Sequence, residues 1–346
     1  MLRGLLVLCL LAGCADSNTG SDNLREYLAR LERITGEPTP DERPLTRELD
    51  LPRGQTPTAT TSNQIDLIDF LSLSGCALQV NLGRRNTQLG RTASPSQRLL
   101  LDLEFIQLAP DCSALLQTRG DAELANTLER ARQEREQALQ TSIANAILMG
   151  PEWEAFWERP KTLAHYPADT NSQVASALGR LAALSRQWLD SQSIAGDWAA
   201  NNRNFELLLS ELRAGDGGAL VMAYSSVAHN IARATAMLTS MNETAPLCPF
   251  GQRTQRSETF ENIVSRFFIG DVQPWLVALR QRKEVLLAPV QQLEQPLLGA
   301  MPPQYAQWAD RRDQLLSRDT TLIKRHIGAI QSALAECGRS STAIAR

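Results

Sequence analysis

Apolar residues along this chain recur at intervals of three and four rather than two, the period of helices packed by one face. Leu24, Tyr27, Leu28, Leu31 and Ile34 predict a short amphipathic helix, with Gly36 at the position that favours a left-handed cap. Residues 37–62 then carry Pro38, Pro40, Pro44, Pro52 and Pro57 among many threonines. That composition predicts an extended connector or a strap lying on the body, with at most a short strand at Glu48–Leu51. From Asn63 to Leu82 the chain is apolar nearly all round, which predicts a central, fully surrounded helix. Asp66 and Asp69 in its first turns suit the helix dipole.

A turn near Gly90 follows. Ser94-Pro95-Ser96-Gln97 reads as N-cap, proline at the first helical position and a capping-box glutamine, opening a helix expected to stop at Pro110. Residues 121–148 predict a long charged helix. Pro151 opens a short aromatic one through Trp157, and Pro160 and Pro167 bracket a loop. Further helices are expected at about 171–190, 197–214, 217–242, 255–269, 274–295 (bent or split at Pro289) and 303–337. In the last of these, Ile323, Ile327, Ile330, Leu334 and Cys337 form one stripe. No fixed-period repeat appears. The expected fold is all-α: an irregular multi-helix bundle of about ten helices over residues 63–340, preceded by the short helix and Pro/Thr-rich connector of residues 21–62.

The first residues read as an address. Arg3 precedes the apolar run Leu5–Leu11, too short for a membrane span, and Leu11-Ala12-Gly13-Cys14 resembles a bacterial lipobox. Residues 1–13 are then a signal peptide, Cys14 the lipidated residue and 14–20 a polar tether. Each buried CH₂ contributes about 0.8 kcal/mol, so two or three acyl chains anchor durably. Ala15, in place of an inner-membrane retention aspartate, points to the outer membrane's periplasmic leaflet.

Composition excludes more than it identifies. With 35 Lys+Arg against 38 Asp+Glu and 43% hydrophobic residues, the chain is an ordinary globular protein, neither disordered nor a basic nucleic-acid binder. Setting aside Cys9 and Cys14, four cysteines remain: Cys76, Cys112, Cys248 and Cys337. In an oxidising compartment they make two disulfides out of three possible connectivities, with Cys76–Cys112 across the Gly90 hairpin and Cys248–Cys337 the expected pairing. None lies in a CxxC.

Candidate chemistry is sparse. His165, His229 and His326 show no metal-ligand spacing, and no cofactor motif is present. Ser225 and His229 stand one helical turn apart without a nucleophile elbow. Gly215-Asp216-Gly217-Gly218 lacks the Lys-Ser/Thr of a phosphate loop and reads as an interhelical turn. Trp153, Phe156 and Trp157 offer a sugar-stacking platform, a foot touching the bilayer surface, or simple packing against the long helix. Arg84, Arg85, Arg91 and Arg98 surround Ser94, where guanidinium groups beside free helix N–H donors could hold an anion; the competing reading pairs them with carbonyls and with Asp66, Asp69 or Asp102. No residue is assigned a catalytic role.

Asp66-Leu67-Ile68-Asp69-Phe70-Leu71 running to Cys76, Arg85-Asn86, Leu89-Gly90-Arg91, Pro95-Ser96-Gln97-Arg98-Leu99 and Leu108-Ala109-Pro110 with Cys112 resemble a family of Gram-negative lipoproteins known only as a domain of unknown function. The resemblance implies an envelope location and disulfides, and no activity. The expectation is a non-catalytic binding protein joined to the membrane by its lipid, meeting an envelope protein or an anionic ligand; the alternative is an envelope hydrolase acting on glycan or lipid.

Overall fold

A computed structural model of the chain describes residues 19–37, 49–52, 72–168, 170, 173–190, 198–335 and 337. The expected signal peptide, Cys14, Asp66, Asp69 and most of the connector lie outside the described residues. Within them all regular structure is helical, and the fold is all-α. In chain order the helices are α1 (Gly20–Thr35), α2 (Leu78–Asn86), α3 (Gln88–Arg91), α4 (Pro95–Thr118), α5 (Ala122–Gln137), α6 (Leu139–Ile147), α7 (Pro151–Phe156), α8 (Gln173–Leu189), α9 (Trp198–Arg213), α10 (Gly217–Thr244), α11 (Gln255–Ile263), α12 (Gln273–Glu294), α13 (Pro303–Ser317) and α14 (Asp319–Ala335).

Two apolar cores organise them. The larger gathers α1, the N-terminal half of α4 (Leu99, Leu100, Leu103) and α6–α14, with Tyr27, Trp153, Phe156, Phe205, Trp308 and Ile330 fully buried. α10 runs through it, packed against α1, α12, α13 and α14. The smaller core joins α2, α4 and α5 through Leu78, Leu82, Phe105, Leu116, Leu124 and Leu128, and the Cys76–Cys112 disulfide closes it. The second disulfide, Cys248–Cys337, ties the end of α14 to the loop after α10.

α1 forms as its sequence dictates. Thr19 and Asp22 exchange side-chain and backbone bonds in a capping box, and Gly36, at φ 73°, returns its N–H to the Glu32 carbonyl. Between α11 and α12 the chain stays helical but takes a π register over Val264–Val272. In an α register Pro274 would lack its hydrogen bond to the Gly270 carbonyl and its ring would collide with it, so a wider register just ahead of the proline removes the conflict.

Several elements depart from expectation. The apolar stretch 63–82 is not one helix over its described part: the chain turns at Leu73–Gly75, with Gly75 at φ 90°, and α2 starts at Leu78. Nor is α2 surrounded, because Val80 points to solvent at 66% exposure. Residues 49–52 form no strand; Leu49 packs into the core while the Trp308 indole N–H donates to its carbonyl (2.9 Å), so these residues do lie on the body.

α4 continues through Pro110 to Thr118, and α12 is not split at Pro289. Burial of Ala109, Cys112 and Leu116 in one case, and of Leu286 and Val290 in the other, outweighs the missing hydrogen bond. The 121–148 helix breaks at Ala138, where α5 leaves the smaller core and α6 enters the larger. The 303–337 helix breaks at Arg318. There Lys283 Nζ bonds both the Leu316 carbonyl (3.1 Å) and the Asp319 carboxylate (3.2 Å), satisfying one helix end and the next helix start.

Candidate functional site: an arginine hairpin

The hairpin α2–α3–α4 brings the sequence-predicted arginines to one end of the smaller core. Ser94 caps α4, its hydroxyl accepting from the Gln97 N–H at 3.3 Å, with Pro95 at the first helical position. Arg84 and Arg85, in the last turn of α2, do not stand free: Arg84 pairs with Glu104 and Arg85 with Asp102, both on α4. Asn81 Nδ2 donates to the same Glu104 carboxylate (2.7 Å) and to the Leu101 carbonyl (3.0 Å). Asp102 also accepts from Arg135 Nε of α5 at 3.2 Å. Arg135 is buried with its guanidinium 3.8 Å above the Phe105 ring, and burial lowers its pKa against the opposing pull of Asp102. The neck of the hairpin is therefore clamped by charge pairs across α2, α4 and α5.

The tip is different. Arg91 and Arg98 are exposed, and among the described residues no carboxylate pairs with either; Arg98 Nη2 donates to the Arg91 carbonyl at 3.0 Å. Leu89 stands between them and the neck at 83% exposure. Of the five residues marked from sequence, Arg84 and Arg85 hold the hairpin together, Ser94 starts α4, and Arg91 and Arg98 present charge outward. The sequence reading missed Leu89, a lone leucine in a polar turn, and Glu104, whose pairing requires α2 and α4 to be adjacent.

The other candidates do not converge. His326 is buried between α14, α10 and α1; His229 lies on α10; His165 lies on the loop before α8. Ser225 borders a small enclosed cavity beside Trp157 and Gly218 that His229 does not line. Trp153, Phe156 and Trp157 are buried and packed edge and face against one another, with Trp308 against Trp157. They are packing, and they explain the glycines of residues 215–218. A Cβ on Gly217 would strike the Phe156 and Trp157 rings, and one on Gly218 would sit 2.1 Å from the Glu158 carbonyl oxygen. Asp216 is taken by Arg282 (Nε to Oδ2, 2.9 Å). A cleft of about 550 Å³ beside α7 is bordered by Asp50, Glu154, Glu158, Arg159 and Arg213, with Arg159 paired to Asp50. Among the described residues no group of three or more His, Cys, Asp or Glu could hold a metal, and no helix is long and apolar enough to cross a membrane.

The class these features define is an all-α protein, stapled by two disulfides, with a charged hairpin projecting from its smaller core. Residues 24–341 match the family described as Protein of unknown function (DUF3080), and the chain belongs to that family. No match to the chain is found among curated proteins or solved structures.

Proposed function

We propose that this chain is a lipid-anchored protein of the Gram-negative envelope, facing the periplasm from the outer membrane. It binds a partner through the arginine hairpin rather than transforming a substrate. The hairpin tip carries the binding half of this reading: two exposed arginines without a carboxylate partner among the described residues, with an exposed leucine two residues before the first, on a disulfide-closed support. Cationic groups with an apolar contact beside them complement an anionic, partly apolar surface on an envelope protein or ligand. The anchor half rests on the lipobox ending at Cys14.

Both halves are testable in cells. Metabolic labelling with an alkyne fatty acid should mark the wild type and not Cys14→Ser, and Cys14→Ser should leave the membrane fraction. An unmodified amino terminus overturns the anchor. A photo-crosslinker at Leu89 should give a discrete adduct, lost in Arg91→Glu/Arg98→Glu and at raised ionic strength, since exposed charges are screened within about 8–10 Å at physiological salt. An adduct indifferent to both overturns the contact surface. Insoluble cell wall turned over by the purified chain would favour the hydrolase instead.

A further inference from the structure

A groove of about 450 Å³ opens at the start of α1, on the side of the molecule away from the Gly36 cap. Its walls are Thr19 and Gly20, the segment before α8 with Pro167 and the polar His165 and Thr170, and one face of α12 bearing Trp275, Ala278, Gln281 and Val285. Gly20 is there for a steric reason: a Cβ would lie 2.1 Å from the Trp275 ring, so the backbone runs flush over the indole. The indole N–H is fixed by the Tyr166 carbonyl at 2.9 Å, which leaves the ring as an apolar wall. The one guanidinium in the lining, Arg282, is neutralised by Asp216. At the α1 N-terminus the capping box engages the Asp22 and Thr19 N–H groups. Val285 borders the groove at 48% exposure. The volume falls in the roughly 300–1,000 Å³ range of small-ligand sites, and the apolar wall edged by His165, Thr170 and Gln281 suits a mainly apolar ligand with a polar end.

Where the chain comes from identifies the occupant. Thr19 lines the groove, and Cys14 is five residues earlier, a reach of at most about 18 Å. The geometry points to this groove as a binding site for an acyl chain of the protein's own Cys14 lipid, folded back from the bilayer. The inference rests on the anchor reading above. A ligand on so short a leash meets the groove at an effective concentration in the millimolar range, far above any free fatty acid. Retracted, the chain is shielded from water whenever the protein is away from a membrane; released, it inserts.

The test uses the full chain carrying Cys14→Ser, with cis-parinaric acid as fluorescent probe and palmitate as competitor. One probe should bind per chain and be displaced by palmitate. Ala278→Trp, which fills the groove, and Val285→Lys, which charges its exposed rim and leaves the core intact, should each weaken binding at least ~10-fold, about 1.4 kcal/mol. The lipidated wild type, held in solution without detergent, should bind the probe at least ~10-fold more weakly than Cys14→Ser, because its own chain competes. No binding by Cys14→Ser, or binding indifferent to both groove variants, overturns the site. Equal binding by the lipidated protein overturns occupancy by its own anchor. The intact mass of the wild type separates these outcomes from failure of the anchor reading, which would show as an unmodified Cys14.

Discussion

His326 should make the stability of this protein fall steeply in mild acid. Its ring is wholly buried, edge-on to Tyr27 and Phe268, and both nitrogens are committed. The Thr235 hydroxyl donates to the Ile231 carbonyl (2.7 Å), so it can only accept from His326 Nδ1–H (3.2 Å). That fixes the tautomer, and Nε2 accepts from the Tyr27 hydroxyl at 2.9 Å. A second proton would bury a charge and force the Tyr27 hydroxyl to turn from donor to acceptor, leaving its own hydrogen to find another partner in the core. Burial accordingly lowers the His326 pKa from 6.5 to about 4. The unfolded chain takes up the proton first as pH drops, so this contribution is complete above the free value and is lost between 6.5 and about 4. The full loss is about 3 kcal/mol, of which about 2 kcal/mol has gone by pH ~5. His326→Gln keeps a donor and an acceptor without titrating. Urea unfolding followed by tryptophan fluorescence at about pH 7.5 and about pH 5 should show the wild type's advantage over His326→Gln shrinking by about 2 kcal/mol. Carboxylates common to both proteins cancel. A difference constant within about 0.5 kcal/mol across that range would refute the assignment of the buried, neutral ring.

Gly218→Ala, with its new methyl against the Glu158 carbonyl, should cost about 1–3 kcal/mol or more, whereas Gly179→Ala in α8, which meets nothing within 4 Å, should add about 0.5–1 kcal/mol; thermal melts of the pair check both. Glu294→Leu leaves Arg312, which is 0% exposed and bonded to the Glu294 carboxylate at 2.8 and 2.7 Å, with two guanidinium nitrogens unpaired and only its Nε bond to Asp313 (2.8 Å). The loss should be about 3–5 kcal/mol, and Glu294→Leu/Arg312→Met should recover part of it; a double variant no better than the single would show that the penalty is not the stranded charge. Replacing the Cys248–Cys337 pair by alanine opens a link of 89 residues, against 36 for Cys76–Cys112. Chain entropy assigns about 4.6 and about 3.8 kcal/mol, so denaturant midpoints should fall further for the longer loop.

What could be read from the residues alone was whatever is decided locally. α1 announces itself by its apolar spacing and by Gly36, and α4 by Ser94 and Pro95. Prolines misled because their cost is local while the packing that overrides it is not: nothing near Pro110 reports that Ala109 and Cys112 will be clamped against α2. The 303–337 break was invisible because its cause, Lys283, comes from another helix. The same limit governs the hairpin. The arginine cluster is legible as a string of letters, but which members face solvent depends on Glu104 and Asp102 lying opposite α2. Arg312 and Glu294 look like surface residues until the Trp153–Tyr305–Glu294 bonds surround them (3.0 and 2.6 Å).

The separation of the apolar interior into two clusters has a dynamic consequence. Amides of α2 and the C-terminal half of α4 are guarded by a small nucleus and one sulfur bridge, while those of α10 are guarded by the main mass. Native-state hydrogen exchange should therefore divide into two cooperative openings, the hairpin's at lower free energy. α2 and the turn bearing Leu89 can then loosen by themselves, while Arg98 keeps its place on the half of α4 seated in the main mass.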